Sequence, residues 1–356
     1  MLTVNFILPC GGHNPVGGFK VVYIYANALA SRGYKVIVTH PLYLRQEELP
    51  QLRHPRRWIT YLKRRVTGAY RPDAWFTMDA RVELRYTPSL EERYIPMSDV
   101  VIATSWETAE WVAGYAGNKG RKLYLIQHFE SWSGERERVL ATWRLPLQKL
   151  VIAKWLQEIA ENMGETAIYL PNGLDQQEFF VETSLPQRDP YLVGSLYHTY
   201  EWKGTADVLG AMAVVVEQLP QVRLILFGTN AEPEGLPAWV EYHHRPSGAT
   251  LRALYNRMSV FVSASWEEGW GLTPCEALLC GCAVAVTDNG GHLEFATHAK
   301  TALVFPVKDR LSMAEAILKL ILENELRFKL AEQGSKALQC YSWDASYKKL
   351  MTALRG

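Results

Sequence analysis

The sequence predicts an α/β protein built from two doubly wound domains. Three observations carry this. Short apolar runs of strand length alternate with segments of helical periodicity along the whole chain, which implies parallel sheets with right-handed crossovers. The pattern breaks at a Pro- and Glu-containing stretch, residues 180–190, and then starts again. The chain has 356 residues and is 48% hydrophobic, enough for two buried cores.

In order, residues 4–9 read as a strand and 10–18 as a glycine-rich loop. Residues 19–32 read as a helix, with apolar positions 21, 22, 25, 28 and 29 on one face and Gly33 as its stop. A strand at 35–39 follows, then strands at 100–104, 122–127 and 149–153 with helices at 105–114 and 155–163. After the break, strands at 191–196, 222–227, 260–263 and 283–287 alternate with helices at 205–219, 250–258 and 274–280. Amphipathic helices at 311–323 and 326–340 and a last helix from 342 complete the chain. The domains are expected at 1–183 and 184–341.

Several function classes drop out. GGHNPVGGFK is not a G-x-G-x-x-G fingerprint, and the strand after it ends in Thr39-His40-Pro41 without an acid for a dinucleotide ribose. No Gly-Lys-Ser/Thr follows, so it is not a P-loop. A net charge of +1 gives no global pull toward nucleic acid. Five scattered cysteines suit a reducing cytoplasm, and Cys280-Gly-Cys282 reads as core packing rather than as a metal site. No leader pattern opens the chain, and no apolar run approaches the ~20 residues of a membrane span.

The most informative stretch is 262–282, VSASWEEGWGLTPCEALLCGC. Two carboxylates, Glu268 and Glu276, flank a Gly-Trp-Gly turn, and Thr273-Pro274 is expected to start a helix. A strand end, a glycine turn and a helix N-terminus suit a phosphate group. Ionised carboxylates only accept hydrogen bonds, so they suit hydroxyls. Phosphate plus polyol describes a sugar nucleotide. The plainer reading makes Thr273-Pro274-Cys275-Glu276 a capping box, with Glu276 only a cap.

The segment resembles the E-x7-E signature of family-4 glycosyltransferases: Glu268, then GWGLTPC, then Glu276. Further matches run in the family's order: GGFKVVYIYANALASRGYKV (17–36), YLPNGLDQQEF (169–179), WKG (202–204) and TDNGGHLEF (287–295). The resemblance covers nearly the whole chain and points to the bacterial surface-polysaccharide type. It implies the GT-B fold, two Rossmann-like domains facing a central cleft, with 342–356 packing back onto the first domain. It implies a retaining enzyme that moves a hexosyl or deoxyhexosyl group from a nucleoside-diphosphate sugar to a hydroxyl of a glycan or lipid-linked acceptor.

By the same resemblance, Lys203 contacts the diphosphate beside Gly204, Glu276 binds ribose hydroxyls and Glu268 lies near the donor sugar. The backbone of Trp270, Gly271 and Leu272, with Thr273, meets sugar and phosphate oxygens. Gly17 and Gly18 form the first glycine loop. His128, at the end of LIQHFESW, lies near the transferred sugar, although Phe129-Glu130 departs from the commoner His-Asp; His13 is a weaker candidate. Family members carry an arginine where this chain has Gly194-Ser195-Leu196, and His198 or Arg245 is the candidate substitute at a site that also includes Ser195. No metal or cofactor is expected, since Lys203 and helix N-termini can neutralise the diphosphate. A nucleotide-sugar epimerase of the same fold and a silent sugar-nucleotide-binding subunit remain as alternatives.

Residues 53–71, RHPRRWITYLKRRVTGAYR, hold seven Lys/Arg and no acid, interleaved with Trp58, Ile59, Tyr61, Leu62 and Val66. Such a stretch suits an anionic membrane surface or a phosphate on the acceptor. A cytoplasmic protein, peripheral at the inner face of the membrane, is the resulting expectation; the other reading is a solvated loop and helix.

Overall fold

A computed structural model describes residues 2–11, 15–130 and 132–355. It divides into two compact units, Met1–Pro171 with Tyr347–Gly356, and Asn172–Ser346.

The first unit holds a seven-stranded sheet: β1 (Thr3–Ile7), β2 (Lys35–Pro41), β3 (Glu83–Thr87), β4 (Val100–Ala103), β5 (Arg121–Ile126), β6 (Gln148–Val151) and β7 (Ala167–Tyr169). The spatial order is β3-β2-β1-β4-β5-β6-β7, and the pairings are parallel. The order reverses between β1 and β4, the switch point of a doubly wound sheet. Buried Val4, Phe6, Val36, Val38, Val101 and Leu123 fill its middle.

The second unit repeats the plan with β8 (Leu192–Leu196), β9 (Arg223–Gly228), β10 (Val240–His244), β11 (Val260–Ser263), β12 (Ala283–Thr287) and β13 (Leu303–Phe305). The order is β10-β9-β8-β11-β12-β13, again parallel, with the switch point between β8 and β11. Its strands bury Val193, Leu224, Leu226, Val260, Val262 and Ala285 against Val208, Met212, Ile317 and Leu320 of the flanking helices. Two parallel-sheet Rossmann-like domains are thus present, as the alternation predicts.

Four strands, β3, β7, β10 and β13, have no counterpart in the sequence reading, and each is a sheet edge. The helix after β11 also starts earlier than expected, at Leu272, with Gly271 as its N-cap at φ 90°. No side chain caps that terminus. The Thr273–Glu276 capping box is therefore not formed. Pro274 is tolerated in the first turn because the amide it lacks would have no intrahelical partner there.

Three of the five cysteines behave as core. Cys275, Cys280 and Cys282 are buried, and the Cys282 thiol donates to the Tyr255 and Met258 carbonyls at 3.1 and 3.4 Å. Buried Arg188 ties the same region together, donating to the carbonyls of Thr183, Tyr255, Met258 and Cys280 and to Asn256 Oδ1. A guanidinium carries enough donors to satisfy several carbonyls at once. Among the described residues no group of His, Cys, Asp or Glu is placed to hold a metal ion.

The last helix, Trp343–Arg355, counts with the first unit from Tyr347 onward. There Arg32 lies over the Tyr347 ring at 3.9 Å, Lys349 over Tyr169 at 4.6 Å, and Arg121 donates to the Ala353 carbonyl.

Candidate functional site

In the second unit, three loops leave the carboxyl ends of β8, β11 and β12 and converge at the switch point. Their approach is very close. A Cβ on Gly204, at φ 70°, would lie 2.2 Å from the Ala264 carbonyl oxygen. A Cβ on Gly291 would lie 2.3 Å from the carbonyl oxygen of Glu268. The Trp266 amide also donates to the Trp202 carbonyl at 2.7 Å. Only glycine fits at both contacts, and this packing places the charged pair.

Lys203 Nζ donates to Glu268 Oε1 at 2.5 Å, and the two side chains are 16% and 17% exposed. Lys203 also lies 4.3 Å from the centre of the Trp202 ring, a cation–π contact. Burial raises the Glu268 carboxyl. The Lys203 charge, with His292 and Ser265, outweighs it and holds the group below its usual range. The site thus presents an ionised carboxylate beside an ammonium.

Two helices begin at this point. Gly204 caps Thr205–Gln218 and Gly271 caps Leu272–Leu279, and neither terminus receives a side-chain capping bond. First-turn amides without intrahelical partners are ready donors to an anion. Glu276 is half-buried one turn into the second helix. Tyr255 donates its hydroxyl to Glu276 Oε2 at 3.0 Å, which orients the carboxylate.

His292 was not singled out in the sequence, although it lies inside TDNGGHLEF. It is fully buried, and burial lowers it to about 4 despite the Glu268 charge, so it is neutral at physiological pH. Its ring meets Ser263 Oγ at 3.2 Å and Thr287 Oγ1 at 3.0 Å, and its amide donates to Asn289 Oδ1 at 3.0 Å. It braces the glycine loop against β11 and β12. The only sequence signal for it is its place in that loop.

The structure also answers the missing-arginine question in part. Ser195 is buried in β8. His198 follows it, but burial and the Lys203 charge lower its pKa, so it supplies no cation near neutral pH. Arg245 is exposed at φ 52°, with Nε donating to the Thr229 carbonyl at 3.1 Å. Lys203 is the cation that the structure places at the switch point. The Trp270 side chain faces inward, buried between Phe295 and Tyr341, so a ligand would meet only its backbone.

In the first unit, Gly17 and Gly18 open the helix Gly17–Ser31, which also lacks a side-chain cap. Gln127 Nε2 donates to the Gly18 carbonyl at 3.0 Å, joining this helix start to the end of β5. His128 comes next. Its Nδ1 accepts from the Phe129 amide at 2.8 Å, which leaves the proton of the neutral ring on Nε2. Trp132 packs edge-on to the ring at 4.3 Å. His13 lies outside the described residues.

Glu130 is a second group that the sequence did not single out. It holds φ 57° and accepts from the Trp106 amide at 2.8 Å. Burial, with the Glu107 charge adding to it against that amide, pushes its carboxyl up to about 8.

Known proteins share this fold. The family model described as "Glycosyl transferases group 1" matches residues 176–337. Probable sucrose-phosphate synthase 1 of Oryza sativa subsp. indica is 26% identical over 155 residues, 43% of this chain and 13% of that protein. The phosphatidyl-myo-inositol mannosyltransferase of Mycolicibacterium smegmatis is 22% identical over 201 residues, 54% of this chain and 52% of that one. The chain thus matches 13% and 52% of the length of these two relatives. Among solved structures, Anabaena Alr3699/HepE in complex with UDP and glucose superposes with a TM-score of 0.74 at 14% identity, covering 100% of both chains. TarM gives 0.75 at 10%, covering 100% of this chain and 99% of that one. The fold is that of GT-B glycosyltransferases, and the group 1 model matches somewhat less than half of this chain.

Glutamine at position 276 keeps an acceptor for Tyr255 but loses the charge. Glu276→Gln is expected to leave the melting temperature near wild type and to weaken nucleoside-diphosphate-sugar binding strongly in calorimetry, because charge-assisted bonds are about twice as strong as neutral ones. Unchanged affinity would remove Glu276 from the ligand site.

Proposed function

We propose that the chain transfers a sugar, of hexosyl or deoxyhexosyl type, from a nucleoside-diphosphate sugar to an acceptor hydroxyl with retention of configuration. The observation that carries this reading is the Lys203–Glu268 pair, set at the switch point between two uncapped helix starts. It lies inside the span that matches the group 1 model. The solved HepE structures hold UDP with glucose and UDP-glucose, so uridine-diphosphate sugars are the first donors to try.

The roles follow from the chemistry. As the bond between the sugar and the diphosphate breaks, its electron pair goes to the diphosphate oxygen. Under this reading Lys203 and the amides of the Gly204 and Gly271 helix starts take up that charge. Glu268 holds Lys203 in position in the free protein and is an acceptor for donor-sugar hydroxyls. Glu276, oriented by Tyr255, is the acceptor for ribose hydroxyls. His128 and the Gly17-Gly18 helix start serve the acceptor side. No divalent ion enters this scheme, because the cation role falls to Lys203.

The absence of an arginine at Ser195 favours one second reading, a subunit that binds sugar nucleotides without turning them over. Release of nucleoside diphosphate in the presence of acceptor separates the two, and an epimerase would convert the donor with no acceptor. Under the transfer reading, Lys203→Ala lowers release roughly a hundredfold, as loss of one positioned oxyanion donor does. Wild-type release in that variant would assign the charge to another group.

The acceptor side carries a membrane proposal. The helix Pro55–Thr67 exposes Trp58, Ile59, Leu62 and Val66 at 37, 64, 52 and 85%. Their spacing puts them on one stripe. Arg65 flanks that stripe on one side, Arg56 and Lys63 on the other. Among the described residues no helix is long and apolar enough to cross a membrane. A narrow apolar stripe between basic flanks is the pattern of a helix that lies in the interface. Under this proposal the protein is peripheral at the inner face of an anionic membrane, where a lipid-linked acceptor would be found. Co-sedimentation with phosphatidylglycerol vesicles should fall as salt rises, with screening over about 10 Å at 0.1 M. The triple variant Ile59→Ser, Leu62→Ser, Val66→Ser should lose it while keeping UDP binding. Wild-type indifference to anionic vesicles at low salt would end the membrane proposal.

A further inference from the structure

The open edge of β3 carries a second feature, wholly within the first unit. Strand β3 pairs with β2 on one side, and the sheet ends on the other. The Leu42 amide donates to the Thr87 carbonyl at 2.8 Å, so Thr87 faces β2. Direction alternates along a strand. The N–H and C=O groups of Leu84 and Tyr86 therefore face away from the sheet.

Such an edge normally offers both donors and acceptors. Here the acceptors are covered. The Tyr61 hydroxyl donates to the Tyr86 carbonyl at 3.0 Å, and the Tyr70 hydroxyl to the Leu84 carbonyl at 3.2 Å. The three rings stack, Tyr61 on Tyr86 at 5.3 Å and Tyr70 on Tyr86 at 4.7 Å, which locks both hydroxyls in place. What remains at the edge is a set of donors.

A cavity of about 450 Å³ opens at this edge, and Arg65, Arg85, Arg93, Tyr86 and Tyr94 are among its lining residues. Arg85 is paired with Glu83, which also lines the cavity, at 2.7 Å, and Arg93 with Glu91 at 3.0 Å. Arg65 has no ion-pair partner among the described residues. Covered carbonyls, outward amides and a guanidinium without an ion-pair partner among the described residues leave the cavity richer in donors than in acceptors. Guanidinium and amide donors match the geometry of phosphate oxygens.

We propose that this cavity is a phosphate-binding site that takes a phosphate ester. Two sources supply that chemistry, the head group of an anionic lipid and a free phosphorylated polyol. Arg65 lies on the flank of the exposed stripe Trp58-Leu62-Val66, so a lipid phosphate would reach the cavity while the stripe sits among acyl chains. The site does not depend on the transfer reading, and UDP binding serves as the control for an intact fold.

The experiment compares the full-length protein with the double variant Arg65→Gln, Arg93→Gln; both residues are exposed, so folding is spared. Glycerol 1-phosphate is titrated by calorimetry, and phosphatidylglycerol and phosphatidylcholine vesicles are compared by co-sedimentation. The double variant is expected to weaken binding by about tenfold or more, the equivalent of at least one charge-assisted bond, with UDP affinity unchanged. Loss of both glycerol 1-phosphate and vesicle binding assigns the site to soluble phosphate esters as well as lipid, and loss of glycerol 1-phosphate binding alone assigns it to soluble esters. Loss of vesicle binding alone assigns it to lipid head groups. The proposal is overturned if the double variant keeps wild-type affinity for both probes, or if the wild-type protein binds neither.

Discussion

The candidate site rests on a steric constraint more than on any single charge. Two backbone approaches, Gly204 against the Ala264 carbonyl and Gly291 against the Glu268 carbonyl, would be impossible with a Cβ in place. They draw the loops of β8, β11 and β12 into one layer at the switch point. Lys203 precedes one glycine, and Glu268 is the residue the other packs on. The ion pair is therefore positioned by main-chain packing. The pair itself adds little net stability, because desolvation offsets much of the attraction in a nearly buried setting. Its value is geometric: an ammonium held at a fixed point and an ionised carboxylate beside it.

Electrostatics around the pair follow from burial. His292 and His198 both lie close enough to sense Lys203 and Glu268, and both have lowered pKa values. Near neutral pH the described residues at the switch point thus present the Lys203 ammonium and the polarised starts of two helices, and neither His198 nor His292 adds an imidazolium there. In the first unit burial acts in the opposite sense on an acid, and Glu130 is carried up to about 8. A carboxyl that keeps its proton at pH 7 can donate as well as accept a hydrogen bond. The two units therefore present different chemistry at the ends of their strands, a fixed ion pair in one and a near-neutral acid beside a histidine in the other.

Much of this was legible in the sequence because interior strands are buried on both faces and read as apolar runs. VVIA at β4, VFVS at β11 and AVAVT at β12 are examples. The strands that escaped, ELRYT, AIY, VEYHH and LVF, are the four sheet edges. An edge strand has one neighbour and tolerates charge and brevity, so it leaves no such run. The glycines and Glu268 were legible as a motif, but the Lys203–Glu268 contact was not, since the two residues are 65 positions apart. By sequence Gly271 reads as part of a turn, whereas its left-handed backbone starts the helix and cancels the capping box that Thr273 and Glu276 suggest. Glu130 and His292 were missed because their character comes from burial, which no local pattern encodes.

The central claim is that the Lys203–Glu268 site of the second unit binds a nucleoside-diphosphate sugar. The direct measurement is thermal unfolding with a panel of such sugars, uridine compounds first, on wild type and Lys203→Ala. A ligand at a hundred times its dissociation constant stabilises the state it binds by about 2.7 kcal/mol. The account predicts a clear rise in melting temperature for at least one compound in the wild type and a much smaller rise in the variant. Equal rises in both proteins, or none with any sugar nucleotide at millimolar concentration, would contradict it.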